Sequence, residues 1–159
     1  MKVYHGSTLE IINPIAAAGR EFLDFGKGFY VTDIKEQAIR WAFRVGRIRE
    51  ERGIVNVYEL DIEKVKSDFR FFQFKKYDKE WLQFIVANRV GKDVPHYDVI
   101  EGGVANDRVI DTVEAYMANL MPLDNAIEEL AKHKPNNQLC ITSQQVIVDS
   151  MTFIESFKI

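Results

Sequence analysis

Asp24-Phe25-Gly26-Lys27-Gly28-Phe29-Tyr30-Val31-Thr32 is the stretch on which the fold turns. Its glycines bracket a turn, and the turn delivers an aromatic pair followed by β-branched residues onto a strand running from Gly28 to Thr32. The glycines do not precede a helix at the spacing of a P-loop or of a dinucleotide fingerprint, so both of those phosphate cradles are excluded. The helix comes only after the strand. From Ile34 to about Arg49, Ile34, Ala38, Trp41, Ala42 and Val45 recur at three- and four-residue steps between Lys35, Glu36, Arg40 and Arg44. That is one amphipathic helix, with Asp33 placed to cap its start and Gly46 or Gly53 placed to end it or its extension.

Upstream of the loop, Lys2 to His5 predicts a short first strand. Downstream, Ile54 to Leu60 alternates as a strand does, and Asp68 to Phe74 predicts a less regular, aromatic-rich one. Trp81, Phe84, Ile85 and Asn88 mark a helical face, and Tyr97 to Ile100 predicts a strand that breaks at Gly102-Gly103. Val109, Val113, Tyr116 and Leu120 share one helical stripe. After Pro122, Leu123, Ala126, Ile127 and Leu130 share another, so a helical hairpin is expected. A polar loop, Lys132 to Asn137, leads into a strand from Gln138 to Thr142, and the last strand is expected from Met151 to Phe157. Strands at both ends with helices between them argue for an α+β fold.

The chain has 159 residues, 47% apolar and 12% aromatic, which suits one sizeable core and one domain spanning residues 1–159. A formal net charge of -3 provides no basic excess to draw a polyanion, so nucleic acid is not the default partner. Cys140 is the single cysteine; it can form no intramolecular disulfide and no thiolate-rich zinc site, which fits a reducing compartment. The first residues turn polar at once and no later run reaches membrane-spanning length, so the expectation is a cytoplasmic protein without a membrane partner.

His5 stands at the end of the first strand, followed by Gly6 and Ser7, where a side chain and backbone groups can face a ligand together. A satisfied structural histidine is the competing reading. His5, His96 and His133 stand far apart without ligand spacing, so no metal is expected, and no serine sits in a nucleophile elbow. The charged run Arg44 to Arg52 suits a solvated helix end, an acidic partner or a pyrophosphate.

Taken together, Tyr4-His5-Gly6-Ser7, Gly28-Phe29-Tyr30-Val31-Thr32 and a helix carrying Ala38 and Trp41 resemble the diphtheria-toxin and poly(ADP-ribose) polymerase branch of the ADP-ribosyltransferase superfamily. Tyr97-Asp98-Val99-Ile100, Gly103-Val104-Ala105-Asn106-Asp107 and Gln138-Leu139-Cys140-Ile141-Thr142 extend the likeness over nearly the whole chain, to the bacterial and phage family DUF3990.

The resemblance implies a split β-sheet core with surrounding helices, and NAD as the ADP-ribose donor. It implies that His5 hydrogen-bonds ribose, that Gly6, with Ser7 beside it, holds the nicotinamide carboxamide through backbone groups, and that Tyr30 and Trp41 sandwich the nicotinamide ring. Trp41 replaces the usual tyrosine, and its place on the apolar stripe also suits a core residue. The expected glutamate of the late strand is Gln138, which accepts a ribose hydrogen bond but carries no charge to stabilise an oxocarbenium-like transition state. Asn136 and Asp107 are acceptor-side candidates, with loop and cap roles as the plainer alternatives. The implied activity is transfer of ADP-ribose to an unknown macromolecular acceptor, as the toxin of a bacterial or phage toxin-antitoxin system restrained by a small antitoxin protein. The alternatives are a catalytically weak module that binds NAD or ADP-ribose, and phosphate transfer from RNA on the same fold.

Overall fold

A computed structural model describes residues 1–159 as a mixed α/β structure of seven strands and six α-helices. The elements run β1 (Lys2–Ser7), β2 (Phe29–Val31), α1 (Lys35–Arg49), β3 (Ile54–Leu60), α2 (Ile62–Asp68), β4 (Phe71–Gln73) and α3 (Lys79–Arg89). They continue with β5 (Val99–Gly102), α4 (Asp107–Met117), α5 (Leu123–Leu130), β6 (Gln138–Ile141), α6 (Gln144–Ser150) and β7 (Met151–Lys158). No helix is long and apolar enough to cross a membrane.

The strands divide into two sheets, one ordered β1-β3-β7 and the other β2-β6-β5-β4. All pairings are antiparallel except β4 with β5. A single bridge joins the sheets: the Tyr4 amide donates to the Thr32 carbonyl at 2.8 Å, and the Thr32 amide returns the bond to Tyr4 at 3.0 Å. On either side of that bridge β1 and β2 part.

Alternation along the strands sorts the side chains into two cores. Val3, Phe29, Val31, Tyr58, Leu60, Leu139 and Ile141 meet in one cluster. Ile100 and Cys140 point the other way, into a cluster with Phe25, Trp81, Leu82, Ile85, Val113 and Leu130, against which Tyr30 packs. The second sheet is therefore covered on both faces, and every residue of β6 is buried. Trp81 is fully buried and its indole N–H donates to the Gly103 carbonyl at 3.1 Å, so burial of its ring, of order 3 kcal/mol, is not offset by an orphaned donor.

Helix α1 lies directly on β1 because both present small residues. Ala38 and Ala42 are buried against Val55, and a Cβ at Gly6 would overlap the Ala38 carbonyl oxygen and stand 2.7 Å from the Ala42 nitrogen. The cap of α1 differs from the sequence expectation: Ile34 holds that position with no side-chain bond, while the Asp33 carboxylate is taken by Asn137. Nor does Gly46 end the helix. It lies inside, packed on Gly53, and Glu50 closes the helix in the left-handed region at φ 56°. The expected strand from Asp68 to Phe74 is also corrected, since Asp68 completes α2 and only Phe71–Gln73 pairs. Asp61 starts α2 by accepting from the Lys64 amide. The strand expected from Tyr97 begins at Val99 and stops at the Gly102-Gly103 step, as expected.

Candidate functional site

The parting of β1 and β2 sets the geometry of the site. In an antiparallel strand, residues two apart direct their backbone N–H and C=O to the same side. Tyr4 uses both groups on Thr32, so Gly6 directs its own toward the side of β2, and Tyr30 directs its own toward β1. Here the strands have separated, and the imidazole of His5 enters: Nδ1 lies 2.6 Å from the Tyr30 carbonyl oxygen.

A carbonyl only accepts, so Nδ1 carries the proton and Nε2 is left as an acceptor with no partner in the chain. Burial lowers the His5 pKa, with the bond to Tyr30 opposing that effect, and the imidazole is neutral near pH 7. Its ring is fixed by stacking on Phe29 at 4.5 Å between centroids.

Tyr30 is more tightly held than its expected role as a ring-stacking residue required. Its hydroxyl donates to the Gly26 carbonyl at 2.6 Å and accepts from the Phe25 amide at 3.0 Å. Burial pushes its pKa far up, and burial pushes that of the neighbouring Cys140 thiol up to about 12, so neither exchanges protons near neutrality. The phenol pins the glycine turn that sequence analysis singled out. Asp24, in the same loop, bonds Arg89 at 2.6 Å, so the loop is anchored to α3 as well.

Gln138 opens β6 opposite Gly102, two residues before Cys140 and on the same face as Tyr30. It is buried, yet its amide makes no hydrogen bond in the chain, and Nε2 is enclosed without a partner. The peptide leading into it is held from two directions. Thr32 Oγ1 donates to the Asn137 carbonyl at 2.7 Å, and Gln37 Nε2 donates to the same oxygen at 2.9 Å. The Asn137 amide in turn donates to Asp33 at 3.0 Å and to Glu101 at 2.8 Å. Gln37, Thr32 and Asn137 were missed from sequence, because partners about a hundred residues apart leave no local pattern.

Trp41 is 45% exposed, one turn beyond Gln37 on α1, with the Arg44 guanidinium 5.8 Å from its ring. The core reading of Trp41 is thereby corrected: Ala38, Ala42 and Gly46 form the buried stripe, and the indole projects from its edge. No contact joins its ring to Tyr30. Ser7 accepts from the Leu9 amide at 3.2 Å and shapes the turn after β1.

Asn136 and Asp107 do come together, in a depression of about 300 Å³ that they share with Tyr77, Arg108, His133 and Lys134. Gln138 is not among its lining residues. Neither Asn106 nor Asp107 caps α4 through its side chain, and Asp107 lies in the left-handed region at φ 47°. A larger depression, about 450 Å³, lies at the opposite end of β1 among Met1, Glu59, Asp61 and Asp149, and holds none of the candidate residues. Nowhere do three His, Cys, Asp or Glu side chains converge as a metal site would require.

The chain belongs to the family described as Protein of unknown function (DUF3990), whose profile matches residues 1–153. No curated protein and no solved structure matches the chain.

Proposed function

We propose that this chain is an NAD-dependent ADP-ribosyltransferase, with its donor site at the parting of β1 and β2 and an ADP-ribosyltransferase-like split sheet as its scaffold. The observation that carries this reading is the 2.6 Å bond from His5 to the Tyr30 carbonyl, which ties the two motif strands together where they separate. The features that support a dinucleotide site are a neutral imidazole with a free acceptor nitrogen at that bond, the backbone edge of Gly6 beside it, and the partnerless buried amide of Gln138 at the start of β6.

NAD, when bound, supplies an ADP-ribosyl group whose bond to nicotinamide breaks with positive charge growing on the ribose carbon. His5 Nε2 accepts from a ribose hydroxyl, and its fixed tautomer keeps that acceptor aimed without further ordering. The Gly6 N–H and C=O match the donor and acceptor of a carboxamide. Trp41, exposed on the helix that packs on β1, offers an open aromatic face for the nicotinamide ring. Gln138 orients ribose through its amide. Catalysis then rests on orientation and leaving-group binding more than on charge stabilisation. Asn136 and Asp107 border the depression proposed for the macromolecular acceptor. In a bacterial or phage setting the chain acts as a toxin held in check by a small antitoxin protein.

One observation favours a second reading, a catalytically weak module that binds NAD or ADP-ribose. Gln138 is neutral, and the carboxylates of Asp33 and Glu101 are both engaged by Asn137. Nicotinamide release from NAD separates the two: the transferase frees nicotinamide in proportion to enzyme and time, and the binding module retains NAD intact.

A further inference from the structure

The Gln37 amide bonds the peptide that leads into Gln138, and the side-chain amides of both residues are left incomplete. Gln37 donates from Nε2 to the Asn137 carbonyl at 2.9 Å, and this bond fixes which end of its amide is oxygen, since an oxygen there would face another oxygen. Its Oε1 is then buried with no partner. Gln138, the next residue along from that carbonyl, is 8% exposed and has Nε2 buried with no partner. Buried polar atoms are nearly always paired, so a lone acceptor and a lone donor flanking one peptide are a local debt that something else settles.

We propose that Gln37 and Gln138 form a paired amide clamp for adjacent hydroxyls of a ribose, with Gln37 as a further substrate-binding residue. This rests on the donor-site reading above. A hydroxyl donates and accepts at once, so a vicinal diol satisfies both amides: one hydroxyl gives its proton to Gln37 Oε1, the other accepts from Gln138 Nε2. The pyrophosphate of a dinucleotide has no proton to give to Gln37, and an apolar ring satisfies neither group. Thr32 Oγ1 and Gln37 Nε2 both bond the intervening peptide, so the Gln37 half of the clamp is already held in place.

The test is equilibrium binding of carba-NAD, whose carbocycle keeps both hydroxyls of the nicotinamide ribose but resists cleavage, together with its 2′-deoxy and 3′-deoxy forms. The unaltered chain is expected to prefer carba-NAD by about tenfold over at least one deoxy form. Gln37→Met, nearly equal in size and without polar atoms, is expected to abolish that preference while melting no lower than the parent. Should Gln37→Met fail to fold, Gln37→Lys keeps a donor for the Asn137 carbonyl but has no acceptor atom, and is likewise expected to abolish the preference. A folded Gln37→Met or Gln37→Lys that still discriminates as the parent does overturns the clamp alone. If the unaltered chain binds no carba-NAD, the donor-site reading fails and the clamp falls with it.

Discussion

His5 Nδ1 and the Tyr30 carbonyl oxygen are 2.6 Å apart, although their strands share only one bridge, between Tyr4 and Thr32. The imidazole thus replaces the backbone ladder at the point where the ladder stops, and it does so in one tautomer. A structural histidine would need no more than this bond, but this one also keeps Nε2 without a partner.

The pH dependence of stability follows from the His5 shift. Its folded pKa lies below the free value of 6.5, so as pH falls below 6.5 the unfolded chain takes up a proton that the folded chain resists. Stability should therefore decline from pH 6.5 downward until the folded group protonates. His5→Asn should remove this component, seen as a flatter difference in urea midpoint between pH 7 and pH 5. A parent and variant with parallel pH profiles would contradict the assignment.

Gln138 should show opposite effects on stability and function. An enclosed amide without a partner costs about 1–3 kcal/mol, which Gln138→Met relieves, so its melting temperature should match or exceed that of the parent while NAD binding weakens. Gln138→Ala should reduce transfer about 100-fold. Gln138→Glu restores a carboxylate and should shift the balance toward NAD hydrolysis. Full transfer by the alanine variant would make Gln138 a strand-opening residue only.

Gly6→Ala places a methyl group on the backbone of α1 at Ala38 and Ala42, atoms that cannot swing aside as a side chain can. A destabilisation of about 1–3 kcal/mol or more by urea denaturation is expected, together with loss of NAD binding. A variant as stable as the parent would mean that α1 does not seat on β1 as described.

Trp41→Ala should be nearly neutral for folding, within about 0.5 kcal/mol, because the indole is open to solvent. Its loss should weaken nicotinamide binding about two- to tenfold, the range of one aromatic stacking contact. The other tryptophan, Trp81, is fully buried, so quenching of tryptophan fluorescence by nicotinamide should vanish in this variant. Undiminished quenching would remove Trp41 from the site.

What the sequence made legible were the elements whose chemistry is local. The spacing of Ala38 and Ala42 announced α1, and the run from Gln138 announced β6, because periodicity and β-branching report burial over a few residues. Trp41 was placed with the apolar stripe because hydropathy does not say which edge of a helix a neighbour covers. Two helices of seven residues, α2 and α6, went unread: each offers about two turns, too few for a period to emerge. His5, Gly6 and Tyr30 were legible as motif residues. Their bond across the parted strands was not, nor was the Thr32, Gln37 and Asn137 network, since these depend on the meeting of segments distant in the chain.

The most direct test of the proposed function is incubation of the purified chain with NAD carrying separate labels on nicotinamide and on ADP-ribose, in the presence of a bacterial lysate. The account predicts that nicotinamide is released and that the ADP-ribose label passes to a macromolecule, with both sharply reduced in folded His5→Ala and Gln138→Ala. A folded parent chain that leaves the NAD intact, or variants that consume it at the parent's rate, would contradict it.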